Sequence, residues 1–237
     1  MPDLFTAVTY NIHQAVGRDG RRDPARVART IQSLNADLVA LQEVDAAPGL
    51  DTVSVQMTDL AAAGQYLAIP GPTMIRSERS YGNVLLTRFD VERVKRFDLS
   101  QAGREPRAAI DVFLRTPGGQ RLRCVVTHLG LSGRERRRQL EILLRILAED
   151  WGDPTLLMGD FNVWWPYSRI ERTLSRLFGP SPRPRSYPAR FPLLALDRIW
   201  VYPSRLLIEL RAKETSVTRA VSDHLPVLAK FRNPATG

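Results

Sequence analysis

The chain has 237 residues, a formal net charge of +9 and a sequence pI near 10.4. This length allows one large domain or two small ones, and a hydrophobic content of 43% is enough for a buried core. The excess of arginine favours an anionic partner, namely nucleic acid, a phospholipid surface or a phosphorylated small molecule, unless it only reflects the composition of the genome.

Composition also excludes several classes of protein. The one cysteine, Cys124, cannot form an internal disulfide, and its place in the apolar run 122–126 predicts a buried side chain. No stretch reaches the roughly 18 apolar residues of a membrane span. The start MPDLFTAVTYNIH lacks the basic region and long apolar segment of a signal peptide. We therefore expect a cytoplasmic monomer without a transmembrane segment.

The first half of the chain predicts mostly strands, because β-branched and aromatic residues alternate with polar ones. Pro24 is expected to open a helix, since Val27, Ile31 and Leu34 follow at helical spacing. A second helix is predicted at Thr52–Ala63. The predicted strands are Leu4–Tyr10, Asp37–Gln42, Tyr66–Ile69, Tyr81–Thr87, Val91–Leu99, Ala108–Arg115 and Leu122–His128.

The second half predicts two more helices and four more strands. Ser132 is a suitable N-cap for a helix over Gly133–Glu149, whose leucines form one apolar stripe. The other elements are a strand at Thr155–Met158, a helix at Tyr167–Phe178, a Pro/Arg-rich loop at Gly179–Pro192, and strands at Ile199–Tyr202, Leu206–Leu210 and Leu225–Phe231. No linker divides the chain, so residues 1–237 are predicted to form one domain. Several neighbouring strands lack a helix between them, which favours mixed sheets over a purely parallel sheet.

The stretch PTLLMGDFNVWW, residues 154–165, reads as a buried strand that ends at Gly159 and then presents polar side chains. Asp160 and Asn162 are two positions apart, so in extended chain they project from one face. A carboxylate and a carboxamide are hard oxygen ligands, suited to Mg²⁺, Ca²⁺ or Mn²⁺. The same letters also suit a turn closed by an Asx hydrogen bond, and both interpretations stay open.

Similar polar residues stand at the ends of other predicted strands. All three histidines of the chain are among them, beside carboxylates, and this favours chemistry over three unrelated structural histidines. The residues at strand ends are Asn11, His13, Glu43, His128, Asp160, Asn162, Asp197, Asp223 and His224.

Eight short motifs in this order resemble those of the endonuclease/exonuclease/phosphatase superfamily, the DNase I-like group. They are TYNIH (9–13), LQEVD (41–45), YGNVLLTR (81–88), REPRAAI (104–110), THLGL (127–131), GDFN (159–162), LDRIWV (196–201) and SDHLPV (222–227). The resemblance implies an α/β fold, a four-layer sandwich of two packed mixed β-sheets flanked by helices. It also implies an active site at one rim of that sandwich.

The resemblance assigns a metal site for Mg²⁺ or Mn²⁺. Glu43 resembles the principal metal carboxylate, with Asn11 beside it, and Asp223 completes the set. Asp160 and Asn162 resemble the pair that orients the attacking water and the scissile phosphate, or that holds a second ion.

The resemblance also assigns catalytic and phosphate-binding side chains. His224 resembles the histidine that acts as general base or stabilises the phosphorane, and Asp197 the carboxylate that orients it. His128 matches the second histidine of DNase I-like members. Arg107 and Asn83, from two further motifs, are expected to contact phosphate.

The implied function is a divalent-metal-dependent phosphoesterase, with a phosphodiesterase favoured. Nucleic acid, a phospholipid headgroup at a membrane surface and a small phosphoester all stay open as substrates. The alternatives are a catalytically silent phosphate- or lipid-binding module on the same scaffold and an unrelated basic nucleic-acid-binding protein. His13 stands where abasic-site endonucleases carry an acidic residue, which weakens a DNA-repair interpretation.

Two groups of residues admit both a functional and a structural interpretation. Trp164 and Trp165 could stack on a base, enter a bilayer interface or pack on the following helix. The arginines at positions 134 and 136–138, and those in the loop 183–190, could meet a polyanion or form a solvated face.

Overall fold

The computed structural model describes residues 4–45, 55–72 and 81–233, and these residues form two mixed β-sheets flanked by helices. Strands are numbered in chain order. The six-stranded sheet has the order β10-β11-β1-β2-β4-β3, in which β1 and β2 are parallel and the other neighbours antiparallel. Its strands are β1 (Leu4–Asn11), β2 (Leu38–Asp45), β3 (Leu67–Pro72), β4 (Tyr81–Thr87), β10 (Leu207–Ala212) and β11 (Val227–Arg232).

The five-stranded sheet has the order β5-β6-β7-β8-β9, with β7 and β8 parallel and the other neighbours antiparallel. Each sheet therefore has one parallel pair inside it. The strands are β5 (Asp90–Asp98), β6 (Ala108–Arg115), β7 (Arg121–His128), β8 (Thr155–Asp160) and β9 (Asp197–Tyr202).

The helices begin at capping residues that the sequence contains. Ser132 and Ser168 each accept a backbone N–H bond three residues on, and Asp23 does the same ahead of a proline at the first helical position. The helices of the described residues are α1 (Pro24–Leu34), α2 (Val55–Ala62), α3 (Gly133–Glu149), α4 (Arg169–Phe178) and the single turn α5 (Thr218–Val221). None of them has both the length and the apolar character needed to cross a membrane.

Three apolar layers hold the elements together. The central layer lies between the sheets and contains Phe5, Ile110 and the cysteine Cys124, which is buried as predicted. A second layer joins the six-stranded sheet to α1 and α2, and a third joins the five-stranded sheet to α3 and α4. Helix, sheet, sheet and helix thus form the predicted four-layer sandwich.

Several strands extend beyond their predicted ends and include site residues. Glu43 was expected after its strand but lies inside β2, where the pairing with β4 shifts register between Leu41 and Val44. Asp160 is the last residue of β8, and Asp197 the first of β9. Tyr167 is not helical, because Ser168 caps α4. Of the helix predicted at 52–63, residues 52–54 lie outside the described part of the chain.

Candidate active site

Site residues meet at one rim because of the strand directions. The carboxyl ends of the parallel pairs β1/β2 and β7/β8 carry Asn11, Glu43, His128 and Asp160. Their antiparallel neighbours begin at the same rim. Register places His128 opposite Asp160, and Asp160 opposite Asp197.

These strand ends surround a cavity of about 210 Å³. Charged, amide and imidazole side chains line its floor, and apolar side chains stand beside them. The lining residues are Asn11, Glu43, Glu105, Arg107, His128, Leu131, Asp160, Asn162, Trp164, Tyr187, Leu196, Asp223 and His224.

Asp160 Oδ2 is the point on which the cavity's polar groups converge. Asn11 Nδ2 donates to it over 3.1 Å and also donates to Glu43 Oε1 over 3.0 Å, linking the two carboxylates. Nε2 of His128 lies 3.6 Å from the same oxygen and Nε2 of His224 lies 3.9 Å from it. Two imidazoles, one at the end of β7 and one in the loop before β11, therefore lie within 4 Å of one carboxylate oxygen.

His224 is held from behind by Asp197. Its Nδ1 is 2.8 Å from Asp197 Oδ2, which leaves Nε2 turned toward the cavity. The backbone N–H of His224 donates to Ser222 Oγ, which donates in turn to Asn11 O, and the ring of Tyr187 packs 4.8 Å from the imidazole. Asp197 and Tyr187 thus fix the ring, and Ser222 fixes the backbone that carries it.

Two site residues lie in the left-handed region of backbone conformation. Glu43 has φ 58° and Asn162 has φ 50°. Such backbone costs on the order of 1–3 kcal/mol in a residue other than glycine and persists where the surroundings enforce it. At Glu43 the enforcing feature is the register shift of β2, which aims the carboxylate into the cavity.

The pair Asp160 and Asn162 is joined by a turn, which corrects the expectation of an extended chain. The N–H of Asn162 donates to Asp160 Oδ1 over 2.9 Å, an Asx turn, while its Nδ2 donates to Leu129 O and lies 3.2 Å from His128 Nε2. The Asx turn and the pair of polar site residues are therefore the same feature, and the two interpretations do not exclude each other. It leaves Asp160 Oδ2 free to face the cavity.

Gly159, just before this turn, allows β7 and β8 to approach closely. It has φ 154°, and a Cβ there would lie 1.9 Å from Thr127 O. Only glycine fits at this position, which sets the spacing between His128 and Asp160.

Environment separates the proton affinities of the two histidines. Burial, with the charge of Arg107 nearby, lowers the pKa of His128 well below its usual value. Burial also disfavours charged His224, but the Asp197 carboxylate and two further aspartates outweigh it and raise the pKa of His224 to about 10. At neutral pH the His128 ring is therefore uncharged and the His224 ring is positively charged.

The surroundings of Asp160 raise the pKa of its carboxyl group. Burial, followed by repulsion from the Asp197 carboxylate, raises the pKa of Asp160 to about 6, against the opposing effects of His224 and two hydrogen bonds. The site thus concentrates negative charge that it does not fully neutralise.

The donor set suits a metal ion. Atoms of Asp160, Asp197 and His224 lie within 4.8 Å of one another, but Asp197 and His224 are paired with each other, which leaves Asp160 as the available ligand of the three. Glu43 and Asp223 add carboxylates at the same cavity. Mostly oxygen donors with excess negative charge fit a hard divalent cation.

The two expected phosphate contacts differ in position. Arg107 lines the cavity, with Nη2 paired to Glu105 Oε2 at 2.7 Å and with no hydrogen-bond partner for Nε among the described residues. Asn83 is buried, donates to Ala108 O over 2.9 Å and is not among the lining residues. The roles of both as phosphate ligands stay predictions.

Comparison with known proteins decides the family. The sequence model described as "Endonuclease/Exonuclease/phosphatase family" matches residues 8–224. This chain belongs to the endonuclease/exonuclease/phosphatase family. Enzymes of this family act on phosphoesters and generally use divalent metals, and they include nucleases and phosphatases.

Individual relatives cover nearly the whole chain. The "Uncharacterized protein YbhP" of Escherichia coli (strain K12) is 30% identical over 98% of this chain and 99% of its own length. A family structure from Beutenbergia cavernae is 25% identical with a TM-score of 0.80, covering 98% of this chain and 72% of its own. One from Bacteroides vulgatus has the same fold, at 21% identity, a TM-score of 0.77 and coverage of 98% and 99%.

Some residues that line the cavity or support its side chains were not predicted. Tyr187 lies in a stretch read only as a Pro/Arg-rich loop, and no local pattern indicates that it packs on His224. Glu105 and Ser222 stood inside the REPRAAI and SDHLPV motifs without an assigned role. His13, at a predicted strand end, lies beside the site with Nδ1 3.8 Å from Asp223.

Proposed function

We propose that this chain is a divalent-metal-dependent phosphodiesterase that cleaves a P–O bond by in-line attack of water. The observation that carries the proposal is the position of two imidazole Nε2 atoms, both within 4 Å of Asp160 Oδ2. They stand in a cavity that Glu43 and Asp223 also line.

Glu43 would be the principal ligand of Mg²⁺ or Mn²⁺, with Asn11 and Asp223 as further oxygen donors. Asp160 and Asn162 would orient the attacking water or, alternatively, hold a second ion. When bound, such an ion neutralises nonbridging and leaving oxygens of the phosphoester. Asn11 contributes before any ion arrives, because its amide links the Glu43 and Asp160 carboxylates and holds them together.

Asp160 is suited to orient the attacking water. Its Oδ1 is fixed by the N–H of Asn162, and its Oδ2 faces the cavity between the imidazoles. A carboxylate with a pKa of about 6 can also accept a proton from that water near neutral pH.

The histidines divide the remaining work. Protonated His224 can donate from Nε2 to a phosphate oxygen as charge builds up, and Asp197 fixes its tautomer and orientation. Neutral His128 can accept a hydrogen bond on the other side of Asp160. Groups whose environments drive their pKa values apart are typical of acid and base partners in one reaction.

The proposal is tested with bis-p-nitrophenyl phosphate and p-nitrophenyl phosphate in Mg²⁺ or Mn²⁺, beside plasmid DNA, RNA and phospholipids. We expect hydrolysis of the diester and a loss of about 10²-fold or more in Asp160→Asn. A preference for the monoester would make the chain a phosphatase. Binding of phosphate or lipid without turnover would support the silent-module alternative instead.

A further inference from the structure

The chain segments that line the cavity also carry large exposed apolar side chains. Monomeric proteins rarely expose such residues as a contiguous group unless the group binds something. We call this group the apolar rim: Leu131, Trp164, Trp165, Tyr167, Phe191 and Leu193, all of which are exposed.

The first part of the rim continues directly from the cavity wall. Leu131 and Trp164 line the cavity itself, and Trp165 follows at once along the chain. Trp164 and Trp165 are both more than half exposed, so most of each side chain is not covered by the following helix. Pro166 O accepts from Arg183 Nη1 over 2.7 Å, which ties this segment to the loop before Tyr187.

The second part of the rim is a tight loop anchored on the catalytic residues. Tyr187 packs on His224, and Ala189 N donates to Asp223 O. Leu193 N closes the loop by donating to Tyr187 O over 2.9 Å. Phe191 and Leu193 are therefore the exposed residues of a loop that runs between two residues lining the cavity, Tyr187 and Leu196.

Exposed arginines lie close in sequence to the residues of the apolar rim or to the cavity-lining residues. They are Arg104, Arg134, Arg169, Arg185 and Arg190. Arg104 lines a neighbouring cavity together with Leu131, and the guanidinium of Arg190 lies 5.4 Å from the Phe191 ring. Apolar side chains interspersed with arginine, in a chain of net charge +9, complement a surface that is apolar beneath and anionic outside.

We propose that the apolar rim docks on an anionic phospholipid membrane and presents the cavity to headgroup phosphoesters. This inference rests on the proposed phosphodiesterase function and adds its substrate class. Tryptophan and tyrosine prefer the interface between headgroups and acyl chains, where leucine and phenylalanine can also insert. Single-stranded nucleic acid is less well matched, because Leu131 and Leu193 offer no flat face for a base.

Flotation with vesicles tests the docking directly. Vesicles contain phosphatidylcholine alone or with phosphatidylglycerol. The test variant is Trp165→Ser/Phe191→Ser, whose side chains are 72% and 66% exposed and do not line the cavity. The control is Leu4→Ser/Leu67→Ser, 49% and 55% exposed. Leu4 is the first residue of β1, whose other end carries the site. Leu67 pairs with Thr87, and Thr87 pairs with Leu38, the first residue of β2, so Leu67 also lies away from the site end of the sheet.

We expect the wild type and the control to bind vesicles that contain phosphatidylglycerol, and the rim variant to bind about tenfold or more weakly. Turnover of bis-p-nitrophenyl phosphate should be equal in all three proteins. Absence of wild-type flotation, or equal flotation of the rim variant, would overturn the docking. Loss of oligo-dT binding in the rim variant while flotation is unchanged would identify a nucleic-acid surface instead.

The two proposals fail separately. Flotation that depends on the apolar rim, without turnover of any phosphoester, would remove the enzymatic function and leave the docking in place. Turnover of the small diester without flotation would remove the docking alone.

Discussion

Asp160 Oδ2 concentrates the chemistry of the site in one atom. It accepts from Asn11 and lies between the Nε2 atoms of His128 and His224. Proton affinity is graded around it, from neutral His128 through Asp160 to protonated His224. Changes to the side chains that touch this oxygen should therefore affect turnover more than folding.

The histidine that Asp197 orients gives the first prediction. His224→Ala should lower kcat by about 10²–10⁴, because it removes the proton donor that we propose for the reaction. Asp197→Asn should lower kcat less, since the imidazole stays and only its orientation and charge are weakened. Steady-state kinetics on the small diester measure both, with circular dichroism as the check on folding. Near-native turnover of His224→Ala would refute its role.

At the scale of elements, the spacing of β7 and β8 depends on Gly159. Gly159→Ala should destabilise the fold by about 2–4 kcal/mol, because its Cβ would meet Thr127 O and alanine tolerates this φ poorly. Gly133→Ala is the matched control, at the first position of α3 with nothing within 4 Å of the added Cβ. Urea unfolding compares the two, and equal stabilities would show that the strands can separate at no cost.

A buried ion pair fastens α3 to the five-stranded sheet. Arg123 donates to both oxygens of Asp111 at 2.8 Å and also to the carbonyls of Ile146 and Leu147 near the end of the helix. It connects β6, β7 and α3 at one point, with both side chains fully buried.

Removing one partner of this pair should cost far more than removing both. Asp111→Ala leaves an unpaired buried guanidinium and is expected to destabilise by about 3–5 kcal/mol. The double change Asp111→Leu/Arg123→Met should recover a large part of that loss, although two helix carbonyls then lose a donor. Chemical denaturation of the single and double variants measures it. A double variant less stable than Asp111→Ala would contradict this expectation.

Elements with local signals could be predicted from the sequence. The helix Gly133–Glu149 has the predicted bounds because Ser132 caps it, and the four-layer sandwich followed from motifs at strand ends. The prediction that the strand ends before Glu43 was wrong. The strand continues through a bulge that is set by pairing with β4, and such pairing leaves no local pattern in the sequence. Tyr187 could not be placed, because its contact with His224 comes from the tertiary fold.

At the scale of the whole molecule, part of the arginine excess is structural. Arg123 and Arg198 are buried in ion pairs, and Arg136 donates to the carbonyls of Gly130 and Leu131 beside the site. The remaining exposed arginines near the apolar rim are the ones available to a polyanion or an anionic surface.

Salt should distinguish these two uses of arginine. If the exposed arginines meet a polyanion or an anionic membrane, binding should fall steeply between low and physiological ionic strength. Turnover of bis-p-nitrophenyl phosphate, which carries a single negative charge, should change little over the same range. Vesicle flotation and oligonucleotide binding across a salt series provide the measurement. Binding that does not change with ionic strength would indicate that these arginines only form a solvated face.

The central claim is that the carboxylates and imidazoles of the cavity form the active site of a metal-dependent phosphoesterase. Its most direct test is whether turnover depends on a metal ion. Purified protein is chelated exhaustively and assayed on bis-p-nitrophenyl phosphate before and after addition of Mg²⁺ or Mn²⁺. We expect chelation to abolish turnover, either ion to restore it, and Glu43→Gln to require a higher metal concentration. Full turnover by the chelated wild-type protein would contradict the claim.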